Sequence, residues 1–184
     1  ITHDTKRLLL ERPPSYRWEA GQSVEIAVDT PQWREEWRPF SFTSVEEDDY
    51  LEFFVKIYRS HEGVTKQIAQ LTRKDRLRVS QPFGTISYRG PGYFIAGGTG
   101  ITPFIAILRR LYKDGRLADN RLLYSARTEK DIIGKSELDH MLGPNVVYNV
   151  THETKSRLPS GFINSTYLKQ HAPELSRPFY LCGP

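Results

Sequence analysis

The sequence predicts two domains of different class: an antiparallel Greek-key β-barrel over residues 1–90 and a parallel α/β sheet over residues 91–184. Three observations carry this. Up to residue 90 the apolar residues come in short runs with period-two alternation, separated by turn residues. That is the spacing of half-buried strands in a small barrel. From residue 91 onward strand-like and helix-like segments alternate, the signature of a parallel sheet covered by helices. Between them stands Arg89-Gly90-Pro91-Gly92, whose glycine and proline punctuation marks the boundary.

The barrel strands are read in order. Arg7-Leu8-Leu9-Leu10-Glu11 is closed by Arg12-Pro13-Pro14, and Gly21-Gln22 opens Ser23-Val24-Glu25-Ile26-Ala27-Val28. Phe40 to Ser44 alternates likewise, and Glu46-Glu47-Asp48-Asp49 reads as a solvated turn before the strand Tyr50 to Tyr58. One helix interrupts: Gly63-Val64-Thr65 precedes Lys66 to Leu71, with Val64, Ile68 and Leu71 on one face and Thr65 at or near the N-cap. Arg76 to Ser80 is a further strand, followed by the turn Gln81-Pro82-Phe83-Gly84.

In the second half, Tyr93-Phe94-Ile95-Ala96 is a short buried strand running into Gly97-Gly98-Thr99-Gly100-Ile101-Thr102-Pro103. Pro103 suits the first turn of a helix, where a missing N–H costs nothing. Ile101, Phe104, Ile105, Leu108 and Leu111 then recur at three- and four-residue spacing, one apolar helix face. Strands follow at Arg121 to Ser125, Asn145 to Val150 and Phe179 to Leu181, with helices at Ile133 to Leu142 and Ser165 to His171.

Composition bounds the function. The 184 residues, 38% hydrophobic and 26% charged, describe an ordinary globular protein of one or two domains. No apolar run is long enough for a transmembrane segment and no signal peptide is visible, so a cytoplasmic location is expected. The single cysteine, Cys182, excludes an internal disulfide and fits a reducing compartment. A net charge of +4 favours an anionic ligand or acidic partner over a nucleic-acid surface. His3, His61, His140, His152 and His171 are scattered without ligand spacing, so no metal site is expected. Residue 1 is Ile and the last strand stops at Cys182-Gly183-Pro184. Both ends are therefore expected to be trimmed, with a C-terminal helix beyond them.

The glycine stretch is the sharpest local signal. A helix N-terminus behind bare glycines offers N–H groups and a positive dipole end to an anion. It is not a P-loop, since no Gly-Lys-Ser/Thr follows, and it lacks the third glycine of the Rossmann fingerprint. On its own residues it is either a phosphate cradle or a tight turn with no ligand.

Three separated motifs together resemble the ferredoxin–NADP reductase superfamily of flavin-dependent, pyridine-nucleotide oxidoreductases. Arg38-Pro39-Phe40-Ser41 is similar to its flavin motif Arg-x-Tyr-Ser, Gly97 to Pro103 to its nucleotide-pyrophosphate loop, and Cys182-Gly183-Pro184 to its Cys-Gly-Pro nicotinamide motif. Gly63-Val64-Thr65 is a weaker fourth match, to the helix start that holds a flavin pyrophosphate. The resemblance covers essentially the whole chain.

It implies a role for each motif. Arg38 would pair with a flavin phosphate through its planar guanidinium. Phe40 would stack on the isoalloxazine without the hydroxyl of the usual Tyr, and Ser41 would stand near flavin N5. Val55, Lys56 and Ile57 would line the flavin, and Gly63, Val64 and Thr65 would receive its second phosphate, which favours FAD over FMN. Gly97, Gly98, Thr99, Gly100 and Thr102 would hold the pyrophosphate of NADH or NADPH, the two threonines offering hydroxyls. Cys182, with Gly183 and Pro184, would lie beside nicotinamide C4. Ser41 and Cys182 are thus the implied catalytic pair. The turn Ser125 to Asp131 would meet the far ribose: Arg127, with Lys130 or Lys135, suits a 2′-phosphate, while Glu129 and Asp131 oppose one, and the balance leans to NADH.

The implied activity is hydride transfer from NAD(P)H to FAD and onward electron transfer. The acceptor would be a small molecule, flavodoxin, ferredoxin, an iron–sulfur domain or a haem protein, and the reductase is expected to be a monomer. Two rivals stand beside it. One is a flavin-containing electron-transfer or regulatory subunit without its own NAD(P)H turnover. The other is a nucleic-acid module using Arg73, Lys74, Arg76 and Arg78, which leaves the glycine loop unexplained.

Overall fold

A computed structural model describes residues 1–184 apart from Arg59, His61 and Thr154; the histidine at 61 thus lies outside the described residues. The first half contains β1 (Thr5–Glu11), β2 (Ser23–Val28), β3 (Arg38–Ser41), β4 (Tyr50–Lys56) and β5 (Leu77–Val79). Hydrogen bonding divides them into an antiparallel pair, β1-β4, and an antiparallel triplet, β3-β2-β5. Both sheets enclose one core of Trp18, Val24, Ile26, Phe42, Phe53 and Val55. Helix α1 (Val64–Gln70) closes it with Val64 and Ile68. Gly63, not Thr65, occupies the N-cap of α1, and no side chain caps it.

β4 departs from the alternation of a half-solvated strand. Leu51 to Val55 are all buried, because the strand is covered on both faces. Phe53 and Val55 point into the barrel, whereas Phe54 joins the core of the second half. Glu52 is buried with them, at 0% exposure.

The second half is a four-stranded parallel sheet of β6 (Tyr93–Gly97), β7 (Arg121–Ala126), β8 (Val146–Val150) and β9 (Phe179–Cys182), in the order β8-β7-β6-β9. Helices α2 (Thr102–Lys113) and α3 (Lys135–Leu142) pack on one face through Phe104, Leu108, Leu111, Leu138 and Leu142. Helix α4 (Ser165–His171) leads into Ala172, which packs with Tyr93 and Leu123 on the other face. Ala106 and Ile107 of α2 are buried as well, since the helix is wedged between sheet, α3 and barrel. α3 starts two residues later than its periodicity indicates. Gly134 takes a left-handed conformation at φ 70°, which breaks the helix and leaves Ile132 and Ile133 to enter the core as loop residues.

The acidic turn Glu46 to Asp49 is not merely solvated. Arg110 of α2 pairs with Glu47, and Lys113 reaches Asp48 at 3.1 Å. Glu46 accepts from the Ala20 amide at 2.5 Å and Asp48 from the Val45 amide at 2.9 Å. A turn with this much charge looks solvated in sequence; here it meets the basic end of a helix 63 to 65 residues on. Among the described residues, no helix is long and apolar enough to cross a membrane.

Candidate functional site

The strand order places a crevice at a definite point. From β6 the chain winds to β7 and β8 on one side and then returns to β9 on the other. The carboxyl ends of β6 and β9 therefore face the switch point, where open α/β sheets bind ligands. β6 ends at Gly97, and Gly98–Ile101 forms a 3-10 turn that runs directly into α2. The leading N–H groups of such a turn have no partner within the helix and sit at its positive end.

Close backbone approach explains the glycines. A Cβ on Gly100 would stand 2.2 Å from the Cys182 carbonyl oxygen, and one on Gly183 would stand 2.8 Å from the Gly97 nitrogen. The glycine turn and the Cys-Gly-Pro strand end thus pack backbone against backbone. Gly98 serves differently: it has φ 53° and open space where its Cβ would be. Its carbonyl is fixed from behind by Tyr124, whose buried hydroxyl donates to Gly98 O at 2.9 Å and accepts from the Ile133 amide at 3.2 Å. Burial pushes the Tyr124 phenol well above its ordinary value, so it remains a neutral donor. The Thr102 hydroxyl, read from sequence as a ligand donor, points back and donates to Thr99 O at 3.0 Å.

Around this turn lies a cleft of about 650 Å³, within the roughly 300–1,000 Å³ of ligand pockets. Of the residues singled out in sequence it gathers Lys56, Gly97, Gly98, Thr99, Ser125, Arg127, Asp131, Cys182, Gly183 and Pro184. Thr5, Lys56 and Tyr58 form its barrel wall, while Phe162, Ile163, Leu168 and Leu181 give it an apolar side. Thr151 and His152 also line it; the sequence reading passed over Thr151 and took His152 only as a scattered histidine. They follow β8 as Ser125–Arg127 close β7, so the rule of strand carboxyl ends would have found them. Phe162 carries no local signal. Cys182 is half-buried, and burial raises its thiol above the ordinary value; a neutral thiol of this kind is a poor nucleophile.

The barrel motif lies outside that cleft. Arg38 is exposed on β3, pairs with Glu36 Oε2 at 3.3 Å and donates to the Trp37 carbonyl at 2.6 Å. Phe40 and Ser41 are half-buried, and the Ser41 hydroxyl meets that of Ser23 at 3.0 Å. Pro39 is exposed beside them. Val55 and Val64 are core residues of the barrel, so only their backbone could meet a ligand. Ile57 packs against the same core. Lys56, which reaches the cleft, is held by Asp4 at 3.0 Å. His3, Asp4 and Asp131 bring ligand-type atoms within 4.8 Å of one another near this wall. Asp4 is already engaged by Lys56 and Thr2, and Asp131 by Thr128. Arg78 of the basic patch is likewise taken, by Glu35 and the Trp37 ring.

Comparison with known proteins meets the same division. The profile of an FAD-binding domain family matches residues 1–94, and that of the oxidoreductase NAD-binding domain matches residues 94–184. The chain belongs to the ferredoxin–NADP reductase superfamily. Within the superfamily it is similar to NADH-cytochrome b5 reductase 1 of Eremothecium gossypii, 32% identical over 181 residues, covering 89% of this chain and 62% of that one. The plasma membrane-associated coenzyme Q6 reductase PGA3 of Saccharomyces cerevisiae is 32% identical over 174 residues, covering 88% and 55%. The chain thus spans about three fifths of the length of these two relatives. A crystal structure of a ferredoxin NADP+ reductase from Neisseria gonorrhoeae with bound FAD and NADP shares the fold at a TM-score of 0.78 and 22% identity, covering 93% of this chain and 72% of that one.

The residues present fit the superfamily's two cofactors. The open side of Gly98 and the uncapped start of the turn that leads into α2 suit a dinucleotide pyrophosphate. An exposed Arg with an exchangeable surface partner, beside a half-buried ring and a hydroxyl, suits the phosphate and ring of a flavin.

Proposed function

We propose that the chain is a flavin oxidoreductase that takes hydride from NADH, or less readily NADPH, onto FAD and passes electrons to an acceptor. The observation that carries this reading is the cleft itself. It joins the glycine turn, the Cys182-Gly183-Pro184 strand end and a wall of the FAD-binding barrel in one cavity of about 650 Å³. We take the domains as residues 1–90 and 91–184.

FAD would supply the hydride-accepting ring and the ability to release electrons one at a time. The chain's own residues bind and orient. The Gly97 to Gly100 turn receives the nicotinamide dinucleotide pyrophosphate, and Tyr124 keeps that turn in place from behind. Arg38 would exchange Glu36 for a flavin phosphate, and the start of α1 at Gly63 to Thr65 would receive the second. Phe40 would cover the ring, and Ser41, oriented by Ser23, would offer it a hydroxyl. The neutral Cys182 thiol would line the nicotinamide side and take no covalent part. Hydride transfer needs no proton donor, so holding the two rings in register supplies most of the rate.

NADH is favoured by the acidic residues of the turn after β7. Glu153 accepts from the Glu129 amide at 2.7 Å, which sets a carboxylate beside that turn and disfavours a 2′-phosphate. The relatives named NADH-cytochrome b5 reductase point the same way. A haem protein or an iron–sulfur protein is the acceptor class we favour, met by a monomeric reductase.

The test is an absorbance spectrum of the purified protein with added FAD, then anaerobic addition of each nucleotide. Flavin bands that bleach with NADH are expected. A protein that takes up no FAD contradicts the reading. Bands that bleach with neither nucleotide point to the electron-transfer subunit instead.

A further inference from the structure

A charge cluster built on one buried carboxylate joins the two halves of the molecule, and nothing in the nucleotide chemistry requires it. Its centre is Glu52 on β4, with a side chain 0% exposed. Burying a carboxylate is costly unless it is paired and fully hydrogen-bonded. Glu52 meets that condition with three partners: the hydroxyl of Thr43, in the segment between β3 and β4, at 2.8 Å, Arg7 of β1, and Arg109 of α2. Arg109 is itself 17% exposed and uses its whole guanidinium. One terminal nitrogen donates to Glu52 and to the Thr43 carbonyl at 2.6 Å, while the other nitrogens form a bidentate pair with Glu137 of α3 at 2.5 and 2.9 Å. The guanidinium also stands 5.7 Å from the Phe54 ring. Two arginines and two glutamates balance in charge.

We propose that Arg109 is a positioning residue: by tying α2 and α3 to the buried Glu52 of β4, it sets the nucleotide turn in register against the barrel wall of the cleft. The lever arms make this effective. Thr102, where α2 leaves the glycine turn, is seven residues from Arg109, about 10 Å along a rigid helix. Lys56, on the cleft wall, is four residues from Glu52, about 13 Å along a strand. A tilt at the cluster is therefore carried to both sides of the cleft with little loss. Charged, directional contacts suit this task better than apolar ones. A well-packed hydrophobic replacement of a buried ion pair is often as stable, but it lacks the bidentate geometry that fixes direction. Misplacing reacting groups by about 1 Å costs on the order of 100-fold in rate.

The catalytic consequence rests on the reductase reading above; the structural one does not. The test uses the FAD-loaded full chain as wild type, Arg109→Met, Arg109→Lys and the double variant Glu52→Leu/Arg109→Met, which leaves no unpaired buried charge if Arg109→Met alone fails to fold. Small-angle scattering reads the separation of the two halves without turnover, and anaerobic stopped-flow reads the limiting rate of flavin bleaching and the Kd for NADH. A folded double variant is expected to show a larger radius of gyration and a limiting rate lower by about 100-fold, with Kd changed less than about 3-fold. Arg109→Lys is expected to recover part of the rate, because it keeps the charge but not the bidentate fork. An unchanged radius of gyration together with an unchanged limiting rate would overturn the proposal. If wild type itself is not reduced by either nucleotide, the reductase reading fails, and the scattering comparison alone decides whether the cluster fixes the two halves.

Discussion

The two ends of helix α2 are held by opposite means. At its N-terminal end no charged side chain takes part. The turn Gly97 to Ile101 is shaped by backbone packed on backbone, with Gly100 against the Cys182 carbonyl and Tyr124 under Gly98. From Arg109 to Lys113 the helix adds to the apolar packing of Leu111 a set of ion pairs, with the buried Glu52, with the partly exposed Glu137, and with Glu47 and Asp48 at the surface. The difference divides the labour. Under the proposed function the neutral end offers its N–H groups and dipole to an anion, and a fixed carboxylate there would compete with that ligand. The charged end anchors the helix to the barrel at a distance from that site.

Substitutions at four positions break this comparison at different depths. Removing the buried anion should cost most: Glu52→Ala leaves Arg109 short of its interior partner, a loss of about 3–5 kcal/mol in denaturant unfolding at neutral pH. The pH dependence has a fixed sign. Burial alone would raise the Glu52 carboxyl, but the charge of Arg109 and the hydrogen bonds from Arg109, Thr43 and Arg7 outweigh it and hold it below its ordinary 4.5. Its contribution is thus fully present above pH 4.5 and is lost as pH falls through the lower, folded-state value. Glu52→Gln should flatten that acid limb of the stability profile.

At the other end, Gly100→Ala should cost about 1–3 kcal/mol, because its Cβ meets backbone and not a movable side chain. NAD+ titration should show weakened binding in the same variant. Tyr124→Phe should cost about 1–2 kcal/mol by orphaning the Gly98 carbonyl and the Ile133 amide. Its nucleotide affinity should fall while flavin affinity holds. The smallest effect is expected at Arg110, which is 40% exposed and paired with Glu47. Arg110→Ala should change stability by about 0.2–1 kcal/mol, and less at high salt. A larger effect there than at Glu52 would reverse the assignment of the anchor.

These two ends were not equally legible in the sequence. The neutral end was, because its signals are local: a short apolar run, three glycines, a proline and an amphipathic period. Ser23 to Val28 and Ser165 to His171 were bounded correctly for the same reason. The charged end was not. Arg109 occupies an unremarked position in an amphipathic helix, and Glu52 alternates as an outward residue of β4 would. Their contact spans 57 positions, and no periodicity reports on such a pair. The acidic turn at Glu46 to Asp49 was read as solvated for the same reason. Tyr124 looks like strand core, and only its hydroxyl partners reveal that it supports the glycine turn. The superfamily resemblance singled out Arg38, Gly97 and Cys182, of which the cleft gathers the last two, but it did not point to the apolar wall that Phe162 and Leu168 add.

The claim that hydride crosses this cleft is tested most directly by following flavin bleaching anaerobically with NADH and with NADH deuterated at the transferred C4 position. Bleaching that is complete with both and slower with the deuterated nucleotide is the predicted result. Bleaching at the same rate with both, or none with either, would contradict it.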